Sequence, residues 1–500
     1  MIFEQCKISY FKKKMKVSFP YNQPVSFYDP QKIYLSPEYT FLENIYSTLI
    51  QKDTDGTLKP SVADDFFWNG NHAHFKIKND LKTKDGHTID AFDVEVTLKR
   101  NLILGGNTHG NLKAMLCPDV QLKDLDSDCR SIQVIRDRNE IVLKFTEPKF
   151  YLFSMLTGMD FAIIPRASLD PISLKIIDYR QTSGPYYVDA DHGNGNIHLS
   201  ANPNHFHYSK DMPLQVILVP TCNSSLDESI RLFSDNKIDL ITTIDQAPHE
   251  EILKYAQKNE VSVHVTDPLR SFMIHFTKKG LSRFSIAQRL AFAKKLKQNL
   301  LELFNDRLRY ESLNSIFPNL AFCSLSAEQS SAIENLISSL PESEFSSPMV
   351  GAMLRCPQID PCSPILIRKL PQVKFYVTDQ HPGFANERRA ENLHDDELDF
   401  YIAGTDMGMT EDVGLISYAA NAGFFDLNGK TPRDWLLNYL DERDPNTRKE
   451  VLIDLHYATI VNAVTVPLMI SPYVSMAKKN WKFNHSTIFA SDAIWRMRQQ

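Results

Sequence analysis

Basic residues are not in excess in this chain. Its 500 residues hold 55 lysines and arginines against 61 aspartates and glutamates, a formal net charge of −6. A nucleic-acid binder normally presents a basic face, so that class is excluded. The one basic cluster near a terminus, Lys12, Lys13 and Lys14 with Lys16, reads as a solvated tail rather than a targeting signal. No run approaches the ~18 apolar residues that cross a bilayer. The best stretch, Ala458 to Ile470, is short and broken by Asn462 and Pro467, so a membrane span is excluded too. Cysteine is scarce, seven in all, and disulfides therefore do not hold the fold together. Cys117 with Cys129, and Cys356 with Cys362, stand close in polar, loop-like stretches. Each pair is either a short covalent clip or two unpaired thiols, and neither has the CxxC spacing of a zinc site. The amino terminus lacks the apolar core and small-residue cleavage site of a secretory signal. The expectation is a cytoplasmic protein, or one whose exported precursor begins earlier.

What is present is ordinary globular material, 43% hydrophobic and 23% charged. At about 150 residues per domain the length predicts roughly three units. Val17 and Phe19, then Val25 and Phe27, read as short strands broken by Pro20 and Pro24. Ser36-Pro37-Glu38 is a helix start, followed at helical spacing by Phe41, Leu42, Ile45, Tyr46 and Leu49. Asp90 with Asp93 predicts a capped helix whose buried face carries Val94, Leu98 and Leu102. Residues 131–145 predict two alternating strands, and Phe161 to Pro165 a short buried one. Val216 to Val219 suits a central strand. The helix from Leu226 to Phe233, ending at Asn236, and the strand from Ile238 complete a βαβ unit. A long helix begins at Ser285, strands follow near Phe375 and Phe400, and a late helix runs from Thr447 to Val461. The fold class is α/β with mixed sheets, without internal repeats.

Several of these residues together resemble the extracytoplasmic solute-binding proteins of the oligopeptide/dipeptide/nickel class, solute-binding protein family 5, the receptors of ABC importers. The resemblance rests on Asp29-Pro30 with Ser36-Pro37-Glu38 and Ile45-Tyr46-Ser47-Thr48-Leu49. It continues through Asp55-Gly56, Leu58-Lys59-Pro60, Asp85-Gly86, Ala91-Phe92-Asp93-Val94 and Arg100. Ser183-Gly184-Pro185-Tyr186, Asn202-Pro203 and the run from Arg231 to Asp239 follow in order. Order and spacing agree over nearly the whole chain, whereas each piece alone is uninformative. The resemblance implies a two-lobed, clamshell-shaped periplasmic-binding-protein-like fold with an extra small α+β subdomain. Lobe I would combine residues 1–50, 160–268 and 472–500, the subdomain 51–159, and lobe II 269–471. A small ligand, foremost a peptide, would be captured between the lobes of a monomer and delivered to an ABC permease. No cofactor is implied. Peptide-binding members add the ligand as a strand, which by position implies contacts from Tyr34, Leu35 and Ser36 on one lobe. On the other lobe they come from Ala403, Gly404, Thr405, Asp406 and Met407. Where the family places an Asp for the ligand amine, this chain has Met409, so Asp406 or Glu411 would have to take that role.

Enzymatic signals are weak. Gly423 to Thr431 misses a phosphate loop by one residue. His72 with His74, and His205 with His207, could each offer two imidazoles on one strand face but lack a third ligand, so they read as surface histidines. Asp189, Asp191, Gly193 and Gly195 are out of register for a calcium loop. The expectation is a binder rather than an enzyme. The rivals are a cytoplasmic or membrane-associated sensor on the same clamshell, and a carrier of a metal chelate or haem.

Overall fold

The computed structural model describes residues 14–19, 24–33, 36–53, 57–105, 112–113, 115–192, 195–221, 226–242, 249–303, 314–316, 324–340, 348–354, 363–378, 397–406, 429–485 and 493–500. In chain order the strands begin with β1 (Lys14–Phe19), β2 (Ile50–Lys52), β3 (Leu58–Pro60), β4 (Ala63–Asn69), β5 (His72–Ile77), β6 (Ile132–Ile135) and β7 (Glu140–Lys144). Next come β8 (Tyr186–Asp191), β9 (Ile197–Ala201), β10 (Gln215–Pro220), β11 (Leu240–Ile241) and β12 (Ser262–Phe276). The last are β13 (Met349–Leu354), β14 (Val373–Thr378), β15 (Phe400–Asp406), β16 (Thr465–Ala477), β17 (Trp481–Lys482) and β18 (Arg498–Gln499). The main helices are α1 (Ser36–Ile45), α2 (Ala91–Leu104), α3 (Leu226–Ser234), α4 (His249–Asn259), α5 (Ile286–Leu303), α6 (Ala327–Ser338), α7 (Ser363–Lys369), α8 (Pro432–Asp441) and α9 (Pro445–Val461).

One mixed sheet of ten strands runs in the order β14-β13-β15-β12-β16-β11-β1-β10-β9-β8. Strand β1 pairs in parallel with both β10 and β11. The apolar run of β10 followed by α3 and β11 is therefore the βαβ unit its sequence predicts. Asn236 adopts φ +56° beyond α3, a left-handed position that asparagine tolerates. Strands β12 and β16 join the two halves of the sheet. Residues 262–265 of β12 face 474–477 of β16, whose Met476 and Ala477 pair onward with β11. Residues 270–275 pair with β16 on one side, and 270–276 with β15 on the other. Between these stretches Pro268 stands opposite Pro472, and the register shifts on both sides of the Pro268 row. Neither proline has an N–H to give, so the ladder is thinned where the strands pass from one half to the other.

Three large apolar clusters follow this layout. One gathers Met15, Val17, Phe41, Leu42, Tyr46, Tyr186 and Trp481 around β1 and α1. Another packs Phe272, Ile274, Phe276 and Phe400 against Leu290, Leu296 and Leu300 of α5. A third fills the four-stranded sheet β4-β5-β7-β6 with Phe75, Ile141 and Leu143 against Val94 and Leu98 of α2, then continues into Trp435, Tyr439 and Leu452 of α8 and α9. No helix among the described residues is long and apolar enough to cross a membrane.

The small sheet is bolted to the β1 half by residues that the sequence singled out. Buried Arg100 holds Asp29 Oδ2 at 2.6 Å, Gln31 Oε1 at 2.5 Å and the Leu174 carbonyl at 2.7 Å. Asp90 and Asp93 form the expected capping box on α2, and both carboxylates also pair with Arg166. These are structural clamps between the small sheet and the β1 half.

Some expectations need correction. Val25 to Phe27 forms a 3-10 turn rather than a strand, because Pro24 precedes it and Asp29 bends the chain immediately after it. Residues 162–165 are buried but not a strand; the Ile163 N–H is taken by the Ser47 carbonyl instead of a ladder. Helix α1 stops at Ile45, four residues short of Leu49 in the predicted apolar series. Cys117 and Cys129 form a disulfide with Cα atoms 6.0 Å apart. Cys356 and Cys362 lie outside the described residues.

Candidate ligand-binding site

Strand β15 brings 403–406 to the junction of the two halves. Its residues 400–406 pair antiparallel with 276–270 of β12. On its other side, β13 pairs with it only at Phe400, Tyr401 and Ile402. Past Ile402, among the described residues, that edge has no recorded strand partner. An open edge beside a packed sheet is what an extended ligand backbone needs in order to add as a strand. Gly404 belongs here for a steric reason. A Cβ on it would lie 2.9 Å from the Phe272 ring and 3.2 Å from Arg270 Nε. Glycine inside a strand marks such a close approach.

Arg270 is the first residue of β12 to pair with β15, opposite Asp406, and on its other side it faces Ser471 of β16. Its guanidinium carbon lies 5.7 Å from the Phe272 ring centre and 5.5 Å from that of Tyr473, within cation–π range of both. Ser471 is 1% exposed, and its hydroxyl finds no hydrogen-bond partner among the described residues. The opposite face of β12 is occupied by structural contacts: Ser271 Oγ donates to the Ile316 carbonyl at 2.5 Å, and His275 Nδ1 meets Thr465 Oγ1 at 2.9 Å.

Of the residues expected to touch ligand, Ala403, Gly404, Thr405 and Asp406 lie consecutively on β15. Ser36 opens α1, which packs in the β1 core, a different core from that of β15. Tyr34, Leu35, Met407 and Glu411 lie outside the described residues, as do Met409 and most of the Gly423 to Thr431 segment. Arg270 and Ser471 were not expected; their meeting is set by strand register between residues some two hundred positions apart.

The histidine pairs are largely not surface features. His205 is buried, with Nε2 3.0 Å from Ser47 Oγ and Nδ1 accepting from the His207 N–H at 3.1 Å, so both ring nitrogens are engaged. His207 Nε2 meets Gln51 Oε1 at 3.0 Å and its ring stacks on Trp495. Burial holds the pKa of His205 well below the usual imidazole range and that of His207 down to about 4. His74 Nδ1 is 2.5 Å from Glu140, while His72 is exposed. Among the described residues no group of three or more His, Cys, Asp or Glu is placed to hold a metal ion.

No protein-family model matches the chain, and no curated protein sequence does. Solved structures do. A periplasmic oligopeptide-binding protein from Borrelia burgdorferi superposes with a TM-score of 0.75 at 16% identity, covering 97% of this chain and 100% of that one. NikA from Brucella suis in complex with Fe(III)-EDTA gives 0.73 at 14% identity, covering 97% and 100%. OppA from Haemophilus influenzae in complex with RPPGFSPFR gives 0.71 at 14% identity, covering 97% and 99%. The fold is therefore the α/β, two-lobed fold of the periplasmic binding proteins, over nearly the full length.

Proposed function

We propose that this chain is the ligand-capturing receptor of an ABC importer and that it holds an extended peptide between two lobes. The observation that carries this reading is the edge of β15 that, among the described residues, has no strand partner from Ala403 to Asp406, at the junction of the two halves of the sheet. Backbone pairing there would bind peptides of many sequences, because the ligand's main chain makes the contacts. The full-length likeness to oligopeptide-binding proteins supports it. The proposed lobes are 1–50 with 160–268 and 472–500, and 269–471, with 51–159 as a subdomain that moves with the first. The bend between them falls at the facing pair Pro268 and Pro472. Ligand contacts to both lobes tip an open–closed balance of a few kcal/mol. An extracytoplasmic location is supported by the Cys117–Cys129 disulfide, since such bonds persist in oxidising compartments. The reading is of a monomeric binder without turnover.

The test is mass spectrometry of what the natively purified protein releases on unfolding. A ladder of assorted peptides is the expected result. A single defined non-peptide, such as a metal chelate, would keep the fold and overturn the peptide assignment.

A further inference from the structure

We propose that the helical face of the β12–β15 half, made by α5, α7 and the turn before α5, rests on the anionic headgroups of a lipid bilayer; this goes beyond the receptor reading and does not depend on the β15 edge. From Lys278 to Lys297 the chain carries seven lysines and arginines and no aspartate or glutamate. The net charge of −6 over the whole chain hides this segment. Apolar packing decides where the charge points. Leu290 and Leu296 of α5 and Leu366 of α7 sink into one core with Phe272 and Phe400, so the two helices form a single layer over the sheet. Lys295 and Arg368 are exposed on that layer and have no ion pair among the described residues. Lys279 donates to the Glu397 carbonyl, and Lys294 to the carbonyls of Ser338 and Leu340. These partners are neutral, so both charges stay uncancelled. The acids nearby are few. Asp399 is buried against Arg283, and Glu302 pairs with Lys369 across the two helices. Glu334 lies within electrostatic reach of Lys297, and Glu397 is exposed at the margin. Exposed isoleucines accompany the cations: Ile286 opens α5 beside the Lys278–Arg283 turn, and Ile367 adjoins Arg368, each 42% exposed. Cations spread over two helices with aliphatic side chains among them suit a plane of mobile anions over an apolar interior. Long basic stems reach the phosphates while the isoleucines enter the acyl boundary. An acidic protein would instead need carboxylates fixed opposite each scattered lysine. The remainder of the chain, with acids in excess, is repelled by the same plane, so the attraction also sets the orientation.

The experiment floats the full-length protein with vesicles of equal parts phosphatidylglycerol and phosphatidylcholine, and with vesicles of phosphatidylcholine alone. The wild type is expected to rise with the first and not with the second, and to be released as salt is raised. Each cation near a charged surface contributes about fivefold in affinity. Lys295→Glu combined with Arg368→Glu, both at exposed positions, is therefore expected to weaken binding about 25-fold or more. Ile286→Ser with Ile367→Ser is expected to weaken it and to leave the salt dependence in place. A wild type that stays behind from the anionic vesicles at low salt overturns the proposal. That includes the case in which immobilised heparin holds it, which would mark the face as one for an acidic macromolecule. Undiminished flotation of a folded Lys295→Glu, Arg368→Glu variant also overturns it. None of these results bears on which molecules the protein releases on unfolding, so the receptor reading stands or falls separately.

Discussion

Single residues carry much of the resemblance, and their reasons are mostly steric or electrostatic. A Cβ on Gly184 would lie 2.3 Å from the Ile45 carbonyl carbon and 2.4 Å from the Tyr46 nitrogen, so the end of α1 can meet the 183–186 segment only if that residue is glycine. Both obstacles are backbone and cannot rotate away. Gly184→Ala is expected to cost about 3 kcal/mol, at the upper end of overpacking, read as a lowered urea midpoint with an unchanged slope. His207 gives a pH dependence. Its pKa is pushed down to about 4 in the folded protein, first by burial and then by Arg496 and Arg498, against about 6.5 when unfolded. Between those values the unfolded chain binds a proton that the native one refuses, so stability falls as pH drops from about 6.5 towards 4. His205, lowered by burial, acts in the same sense. His87 acts in the opposite sense: its hydrogen bond to Asp93 raises its pKa, so its contribution is full below about 6.5 and lost as pH rises through the folded value. His207→Gln is expected to narrow the stability gap between pH 7 and pH 5 by about 2 kcal/mol, measured by denaturant titration at both values.

At the scale of elements, local chemistry was legible wherever a signal is contained within a few residues. The Asp90 box, the turn after α3 and the apolar run of β10 are of this kind. Asp90 accepts from the Phe92 and Asp93 N–H groups at the start of α2. Asp90→Ala is therefore expected to cost about 1–2 kcal/mol, with little added by its partly exposed pairing to Arg166. The urea midpoint again measures it; an unchanged midpoint would mean that Asp93 and Asn139, whose side chain accepts from the Ala91 N–H, suffice. Strand β12 was invisible by contrast. Its fifteen residues include Asp267, Pro268 and Arg270, which break the alternation that marks a strand. What makes it a strand is pairing on both sides with β15 and β16, and only the assembled sheet supplies that. The candidate site suffered the same way. Resemblance alone puts the 403–406 segment forward as a candidate, whereas Arg270 and Ser471 become neighbours only through register.

Across the whole molecule, the small sheet touches both proposed lobes in different ways. Toward the β1 half it is clamped by buried pairs such as Arg100 with Asp29. Toward α8 it makes an edge-on contact of Tyr151 with Tyr439 at 5.1 Å, with Lys149 paired to Asp441 and Glu147 to Arg443 at the margin. Both tyrosines are buried. If the lobes swing apart at Pro268 and Pro472, this second contact is the one that opens, and it biases the molecule toward the compact state. An aromatic pair contributes about 0.5–1.5 kcal/mol beyond its buried area, enough to shift an open–closed balance up to about tenfold. Tyr439→Ala is expected to raise the ligand-free radius of gyration in solution X-ray scattering. An identical scattering curve would mean that the contact does not restrain the swing.

The position of β16 bears on how the protein is made. This strand lies between β12 and β11 in the middle of the ten-stranded sheet, yet it begins only at Thr465. A ribosome must therefore deliver every strand from β1 to β15 before the two halves of the sheet can be joined. Until then β11 and β12 keep unpaired edges, and the β17–β18 pair waits for Arg498. A chain whose joining strand follows fifteen others keeps its largest sheet in two separate pieces through most of its synthesis.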